Sequence, residues 1–419
     1  MLDVNLIRNN PDQIREGISK KGTDPKLVDN FLALDKEWRE FTKEADNLRA
    51  RQNELSSQRN IEEGKKVKIQ VQKIETTLKK LEASRQEILE QIPNPPSDEA
   101  PVGKDESENV VLREVGEKPK LDFEPKDHVE LGKALDIIDF EAASKVAGSG
   151  FYYLKNEGVL LELALVRYAL DFLAKNGFDL WITPDLAREK FYLGTGYTPR
   201  GPEAQTYVIE GSDLGLIATA EVALAGIHAD EIIEEKDLPK LYAGYSHCFR
   251  QEAGAYGKYS KGLYRVHQFT KVEMFTYTAP EDSPSMHEKL LELEEKLWQG
   301  LGVPYRVVEM CTGDLGAMAV KKFDLEAWMP GRNPPTGGWG EVTSASNTTD
   351  YQARRLGIKF RRKNGEVEFA HTLNGTALAS SRAIIAILEN YQTKEGRVVI
   401  PEVLRDYAGR SEIKAPKKA

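Results

Sequence analysis

Residues 27–55 carry an unbroken alternation of four- and three-residue spacings at Leu27, Phe31, Leu34, Trp38, Phe41, Ala45, Leu48, Gln52 and Leu55, with charges filling the positions between. That is the stripe of a coiled coil, two positions in seven facing a partner helix. A second run follows at Val67, Val71, Ile74, Leu78, Leu81, Arg85, Ile88 and Ile92, with Arg85 its one flaw. The segment between them, "SSQRNIEEGKK", is polar, holds Gly64 and adds nothing to either stripe, so it is expected to form a hairpin tip. Two helices of about 30 residues at 1.5 Å each predict a projecting arm on the order of 45 Å long.

"QIPNPPSDEAPVG" ends the second helix: Pro93, Pro95 and Pro96 remove helical hydrogen bonds and mark a domain boundary. The expected division is 1–100 for the N-terminal domain and 101–419 for the rest. Beyond it, strands and helices mix without strict alternation. Residues 159–176, 286–300 and 381–392 have helical patterns, 242–252 and 263–278 read as strands, and "EFAHTL" is strand-like. Long strands facing one another across a hairpin predict an α+β fold, an antiparallel sheet with helices packed on it. No internal repeat is present.

Composition narrows the class. At 419 residues, with 40% hydrophobic and 30% charged content, the chain is long enough for two or three domains with their own cores. The longest apolar stretch, "GVLLELALVRYALDFLA", is broken by Glu162, Arg167 and Asp171, which excludes a membrane span. The N-terminus has no basic start followed by an apolar run, so no secretory signal is expected. With only Cys248 and Cys311, neither a disulfide framework nor a cysteine-rich zinc site can form, and a reducing, cytoplasmic compartment fits. The net charge of −9 argues against a nucleic-acid-coated protein, but residues 49–85 hold ten basic against five acidic residues, a local +5. That excess is either a solvated coiled-coil surface or a finger facing nucleic acid.

The chemistry is concentrated in "FRQEAGAYGKYSKGLYRVHQFTKVEMF", residues 249–275. Strand alternation puts Arg250 and Glu252 on one side of the first strand, and Arg265, His267, Phe269, Lys271 and Glu273 on one face of the second, with Val266, Val272 and Met274 opposite. The charged set is either an ordinary exposed sheet face or a platform that stacks a flat ring on Phe269 beside an anion. In "TLNGTALASSRAIIAILENYQ" a strand is expected to turn at Asn374-Gly375 into a helix with Arg382 in its first turn. A cation there is unfavourable by ~0.3–1 kcal/mol unless it meets an anion, bound or from a neighbouring carboxylate. "WGEVTSASN" places Glu341 near Ser344, oxygen ligands suited to Mg²⁺ beside phosphates or simply a polar loop. In "ATAEVAL", Thr219 precedes a short apolar helix and is expected to cap it. GxxxxGK[ST], GxSxG, HExxH and paired CxxC motifs are all missing.

"FRQE…GLYRVHQFTKVEMF" resembles motif 2 of the class II aminoacyl-tRNA synthetases, "TLNGTALASSRAIIAILENYQ" their motif 3, and "GFDLWITPDL" with Pro184 their motif 1. The "TAE" triplet, the "RVHQFTKVE" strand, "TLNGTALA" and the N-terminal hairpin are similar to the bacterial-type seryl-tRNA synthetases over essentially the whole chain. The resemblance implies a ligase that joins L-serine to ATP as seryl-adenylate and passes it to tRNA(Ser) and also tRNA(Sec), as a cytoplasmic homodimer. It implies serine contacts at Thr219, Ala220, Glu221, Arg250, Glu273, Asn374 and Thr376. It implies ATP contacts at Arg250, Gln251, Glu252, Arg265, Val266, Phe269, Glu341, Val342, Thr343, Ser344 and Arg382, and Mg²⁺ on Glu341 and Ser344. Catalysis would fall to Arg250, Arg382 and Glu341, and the basic arm would lie along the tRNA's long variable arm. Two departures stand out: Ala345 where the family carries Cys, and "EVTS" where "EISS" is usual. They put the outer wall of the pocket in question. A carrier-protein ligase on the same scaffold would share the adenylation residues but has no use for a basic heptad arm. A non-catalytic relative would be expected to lose a charged pocket residue, and all are present.

Overall fold

The computed structural model describes residues 1–197, 205–252 and 259–416; much of the loop between the two expected strands of residues 249–275 lies outside the described residues. Contacts divide the chain into two units, Met1–Pro96 and Ser97–Ala419.

In the first unit two short helices, α1 (Val4–Asn9) and α2 (Pro11–Lys20), precede the long pair α3 (Lys26–Ser57) and α4 (Ile61–Gln91). Phe31, Ala45, Leu55, Val67, Val71 and Ile74 are buried between them, as the spacing predicts. The tip is tighter than the polar segment suggested. Asn60 caps α4 by accepting from the Glu63 amide at 3.3 Å, and Arg59 turns the chain at φ 57°, so Gly64 and its lysines already lie inside α4. At the base the buried stripe widens to Val28, Asp35 and Leu89, because α1 and α2 pack on a second side of α3.

Asp35 explains the flaw at Arg85. Arg85 Nε donates to Asp35 Oδ1 at 2.8 Å, its guanidinium lies 4.7 Å from the Trp38 ring centroid, and Arg8 binds the same fully buried carboxylate at 2.8 Å. Burial pushes the Asp35 carboxyl up, but Arg8 and Arg85 outweigh it and hold it below the usual aspartate value. Replacing Asp35 with alanine strands these two cations and the exposed Arg39, which binds the same carboxylate at 3.2 Å, and is expected to destabilise the chain by about 2–4 kcal/mol, less than a fully buried pair because Arg8 is partly exposed. Replacing Asp35, Arg8 and Arg85 together with leucine is expected to recover most of that loss. Urea unfolding followed at 222 nm checks both; an unchanged Asp35→Ala midpoint would leave Arg85 unexplained.

The second unit is built on one eight-stranded sheet: β1 (Val110–Val115), β2 (Asp179–Ile182), β3 (Lys240–Phe249), β4 (Gln268–Thr278), β5 (Tyr305–Glu309), β6 (Lys321–Met329), β7 (Gly338–Asn347) and β8 (His371–Ala379). Their order across the sheet is β1-β5-β6-β7-β8-β4-β3-β2. Every pair is antiparallel except β2 with β3. The helices α5 (Glu157–Lys175), α7 (Ser283–Leu301) and α8 (Ser380–Asn390) bury Leu161, Leu165, Leu290, Leu297 and Ile384 against Val272, Met274, Leu325 and Leu373. A short helix, α6 (Ala220–Gly226), packs near β3 and β4.

Three local features depart from simple alternation. β3 ends at Phe249 and β4 begins at Gln268, so Arg250, Glu252, Arg265 and His267 sit on the connecting segments rather than on strands. Glu252, at φ 53°, turns the chain three residues beyond the end of β3. Asn374-Gly375 is not a turn: both lie within β8, where a β-carbon on Gly375 would meet Glu294 Oε1 at 3.0 Å. The glycine therefore permits close packing of helix and sheet. Finally, β7 carries Val342 as an extra residue against β6, and β8 carries Ala377 as an extra residue against β4. The first bulge turns both Val342 and Thr343 to the core and so brings Glu341 and Ser344, three positions apart, onto one face.

Candidate active site

The face of the sheet away from the packed helices opens into a cavity of about 260 Å³ lined by Glu221, Glu273, Thr376, Arg250, Phe269 and Arg382, among others. A wider cleft of about 920 Å³ shares Arg250, Tyr264, Arg265, Lys322 and Glu341 with it.

One part is a buried carboxylate pair. Glu273 on β4 is 1% exposed and Glu221 on α6 is 2% exposed. Glu273 stands opposite Thr376 in the β4–β8 register, accepts the Thr376 hydroxyl at 3.3 Å and pairs with the Lys271 ammonium. Glu221 accepts from three groups: the Gln352 amide at 2.7 Å, the Asn374 amide at 2.9 Å and the Tyr197 hydroxyl at 3.0 Å. Burial, then the charge of Glu273, raises the Glu221 carboxyl to about 7 despite these donors. The result is a small polar chamber able to hold an ammonium and a hydroxyl.

That value gives a pH dependence. A cation binds the ionised Glu221, so protonation below pH ~7 removes its partner. The KM of an ammonium-bearing substrate is expected to rise up to about tenfold per pH unit below that point, with the KM of the phosphate substrate unaffected. Glu221→Gln should flatten the profile. A KM for that substrate independent of pH from 5.5 to 8 would rule this out.

The other part is cationic. Arg250 donates from Nε to the Ala218 carbonyl at 3.2 Å, and its guanidinium lies 5.3 Å from the Phe269 ring centroid. Arg382, in the first turn of α8, reaches the Glu341 carboxylate at 2.9 Å and the Glu341 carbonyl at 3.1 Å, and lies 5.0 Å from the Tyr264 ring. The misplaced cation thus meets a carboxylate, and an open cavity as well. Burial pushes Glu341 up, but Arg382, Lys322 and Arg250 outweigh it and hold the carboxyl well below its ordinary value. Arg265 and Glu252, expected to act separately, bind each other at 2.6 Å.

Other expected positions fall into two groups. Ser344 and Val266 line the cavity. Val342 and Thr343 border it, but the Val342 side chain belongs to the core and the Thr343 hydroxyl donates to Glu294 at 2.7 Å. Ala345 is fully buried in the same core, so of the two sequence departures only "EVTS", at Val342 and Thr343, touches the cavity border. Thr219 caps α6, accepting from the Glu221 amide at 3.3 Å, and is buried with Ala220. Gln251 donates to the Thr206 carbonyl at 2.8 Å.

Lys271, Tyr197, Gln352, Tyr264 and Lys322 were not singled out from sequence. Lys271 alone gave a signal, through its place on the charged face of β4. Tyr197 and Gln352 reach Glu221 from segments remote in the chain, which no local pattern reveals.

The tRNA synthetase class II core domain (G, H, P, S and T) matches residues 207–391, and the seryl-tRNA synthetase N-terminal domain matches residues 1–96. The chain is 54% identical to the serine--tRNA ligase of Dictyoglomus turgidum over 100% of both chains. It is 53% identical to that of Rubrobacter xylanophilus over 99% of each. Among solved structures, seryl-tRNA synthetase from Pyrococcus horikoshii complexed with ATP superposes with a TM-score of 0.92 at 44% identity, covering 100% of both chains. The chain belongs to the seryl-tRNA synthetase family.

Proposed function

We propose that the cavity carries out both halves of the serine–tRNA ligase reaction with the residues described above. The observation that carries this assignment is the meeting of two arginines, Arg250 and Arg382, and the Phe269 ring with the Glu221–Glu273 chamber in one cavity. Glu221 and Glu273 receive the ammonium and hydroxyl of L-serine, with Thr376 and Asn374 closing the chamber. Rejection of threonine then rests on steric closure, and rejection of alanine on hydroxyl partners left unpaired. Phe269 stacks the adenine, Glu252 contacts its edge, and Arg265 supports the phosphates once it exchanges its bond to Glu252 for a ligand.

The serine carboxylate attacks the α-phosphorus in line; the new P–O bond forms as the bond to pyrophosphate breaks. Arg250 holds the attacking carboxylate and the α-phosphate, and Arg382 holds the terminal phosphate. In the second half a ribose hydroxyl at the tRNA 3′ end takes the acyl group and AMP leaves. The chain needs no nucleophile of its own; it orients anions and neutralises the charge between them.

Glu341 and Ser344 supply hard oxygen donors for Mg²⁺, and Asp324, opposite Ser344 in the β6–β7 register, has a buried Oδ1 with no hydrogen-bond partner among the described residues. Those donors fit a divalent cation, which when bound shields the phosphate charge. The basic stretch 49–85 supports an arm that lies along the tRNA backbone, and family resemblance adds tRNA(Sec) as a second partner. Edge strand β2, with Leu180, Trp181 and Ile182 exposed at 47%, 40% and 82%, supports a homodimer contact. Among the described residues no helix is long and apolar enough to cross a membrane, and we place the enzyme in the cytoplasm. Charging of tRNA(Ser) and tRNA(Sec) transcripts with labelled serine, with threonine and alanine as controls, tests the whole assignment. Equal charging with all three amino acids would refute the chamber.

A further inference from the structure

Helix α7 packs beneath the sheet, yet three of its buried positions are polar: Ser283 and His287 at 2% exposure and Glu294 at 0%. Each meets an alternate residue of β7. Ser283 Oγ accepts from the Asn347 amide at 3.0 Å. His287 Nε2 lies 2.9 Å from the Ala345 carbonyl and donates to it. Glu294 Oε2 accepts the Thr343 hydroxyl at 2.7 Å. Strand positions 343, 345 and 347 share one face, and helix positions 294, 287 and 283 share one stripe, so the contacts run as a zipper along the pair. A carboxyl this deep costs stability against a leucine of similar size, the more so because only Oε2 is hydrogen-bonded among the described residues, so its presence points to a role beyond packing.

The zipper ends at the bulge. Val342 is the extra residue of β7, and only because it and Thr343 both turn inward do Glu341 and Ser344 face the cavity together. Moving the extra residue one place along the strand would turn one of them into the core. Burial of Val342 and Ala345 fixes the strand on either side, and the hydrogen bond to Thr343 decides which of the two residues between them faces inward.

We propose that Glu294 is a positioning residue for the nucleotide site: through Thr343 it fixes where β7 bulges and thereby sets Glu341 and Ser344 on one face. The consequence for nucleotide binding rests on the assignment of those two residues to the phosphates and their metal ion. The test compares Thr343→Val, Glu294→Gln and the paired apolar replacement Glu294→Leu with Thr343→Val, which leaves no stranded polar partner. Affinity for Mn²⁺ with a non-hydrolysable ATP analogue is read by electron paramagnetic resonance, alongside the KM values for ATP and serine and the melting midpoint. Glu294→Gln, which keeps an acceptor, should stay within about twofold of the parent. The paired variant should melt close to the parent but bind Mn²⁺ about tenfold or more weakly, with an ATP KM raised in step and a serine KM within about twofold. A paired variant with parental Mn²⁺ affinity would reduce the contact to core packing and overturn the proposal. If Glu341→Gln itself leaves Mn²⁺ binding intact, the metal assignment fails separately. A crystal structure of the paired variant then decides: a displaced bulge supports the proposal, and Val342 still the extra residue refutes it.

Discussion

Replacing Arg250 with alanine is expected to lower serine-dependent pyrophosphate exchange by about 10²–10³-fold, the usual cost of removing one donor aimed at developing charge. The side chain is anchored by its Nε bond to the Ala218 carbonyl, and its guanidinium lines both the cavity and the wider cleft. It is therefore held in place before any ligand arrives. The loss should appear mainly in kcat/KM for ATP, with the circular dichroism spectrum unchanged. Lysine should rescue little, because a point charge cannot span a carboxylate and a phosphate as a planar fork does. Near-normal exchange in Arg250→Ala would remove it from the reaction.

The second large effect concerns the arm. Excising residues 42–80 and closing the hairpin with a short turn keeps the Asp35–Arg85 base but removes most of the +5 stretch at 49–85. Aminoacylation of tRNA(Ser) should fall by about 10³-fold, as expected when several backbone phosphate contacts are lost, while pyrophosphate exchange stays within about twofold. In the intact chain, raising salt from 50 to 200 mM should weaken tRNA binding steeply, and the excised chain should lack that slope. Charging that survives the excision would return the basic arm to an ordinary solvated surface.

Much of the architecture was legible because it rests on periodicity. The stripes through Phe31 and Ala45 and through Val67 and Ile74 are local, and they define the paired helices. The inward set Val272 and Met274 and the outward set Phe269, Lys271 and Glu273 follow from alternation on β4. Misreadings arose where a distant partner overrides a local rule. Asn374-Gly375 has the composition of a turn, yet continues straight because Glu294 and Leu290 of α7 press on Gly375. Arg85 looked like a flaw until Asp35, fifty positions earlier, was found against it. Thr343 looked like a departure in the pocket wall, but its hydroxyl points to α7. The spacing of Glu341 and Ser344 would place them on opposite faces of a regular strand, and only the bulge at Val342 reconciles them. The chamber around Glu221 needed Tyr197, Gln352 and Asn374 from three separate segments, which composition could not assemble.

The central claim is that Arg250 and Arg382 grip one triphosphate above the sheet. Diffraction from crystals of this chain with a non-hydrolysable ATP analogue and Mg²⁺ tests it most directly. The account predicts the α-phosphate within hydrogen-bond distance of Arg250, the terminal phosphate at Arg382, and the adenine against Phe269. Electron density for the nucleotide elsewhere, with Arg382 engaged by Glu341 alone and Phe269 uncovered, would contradict it.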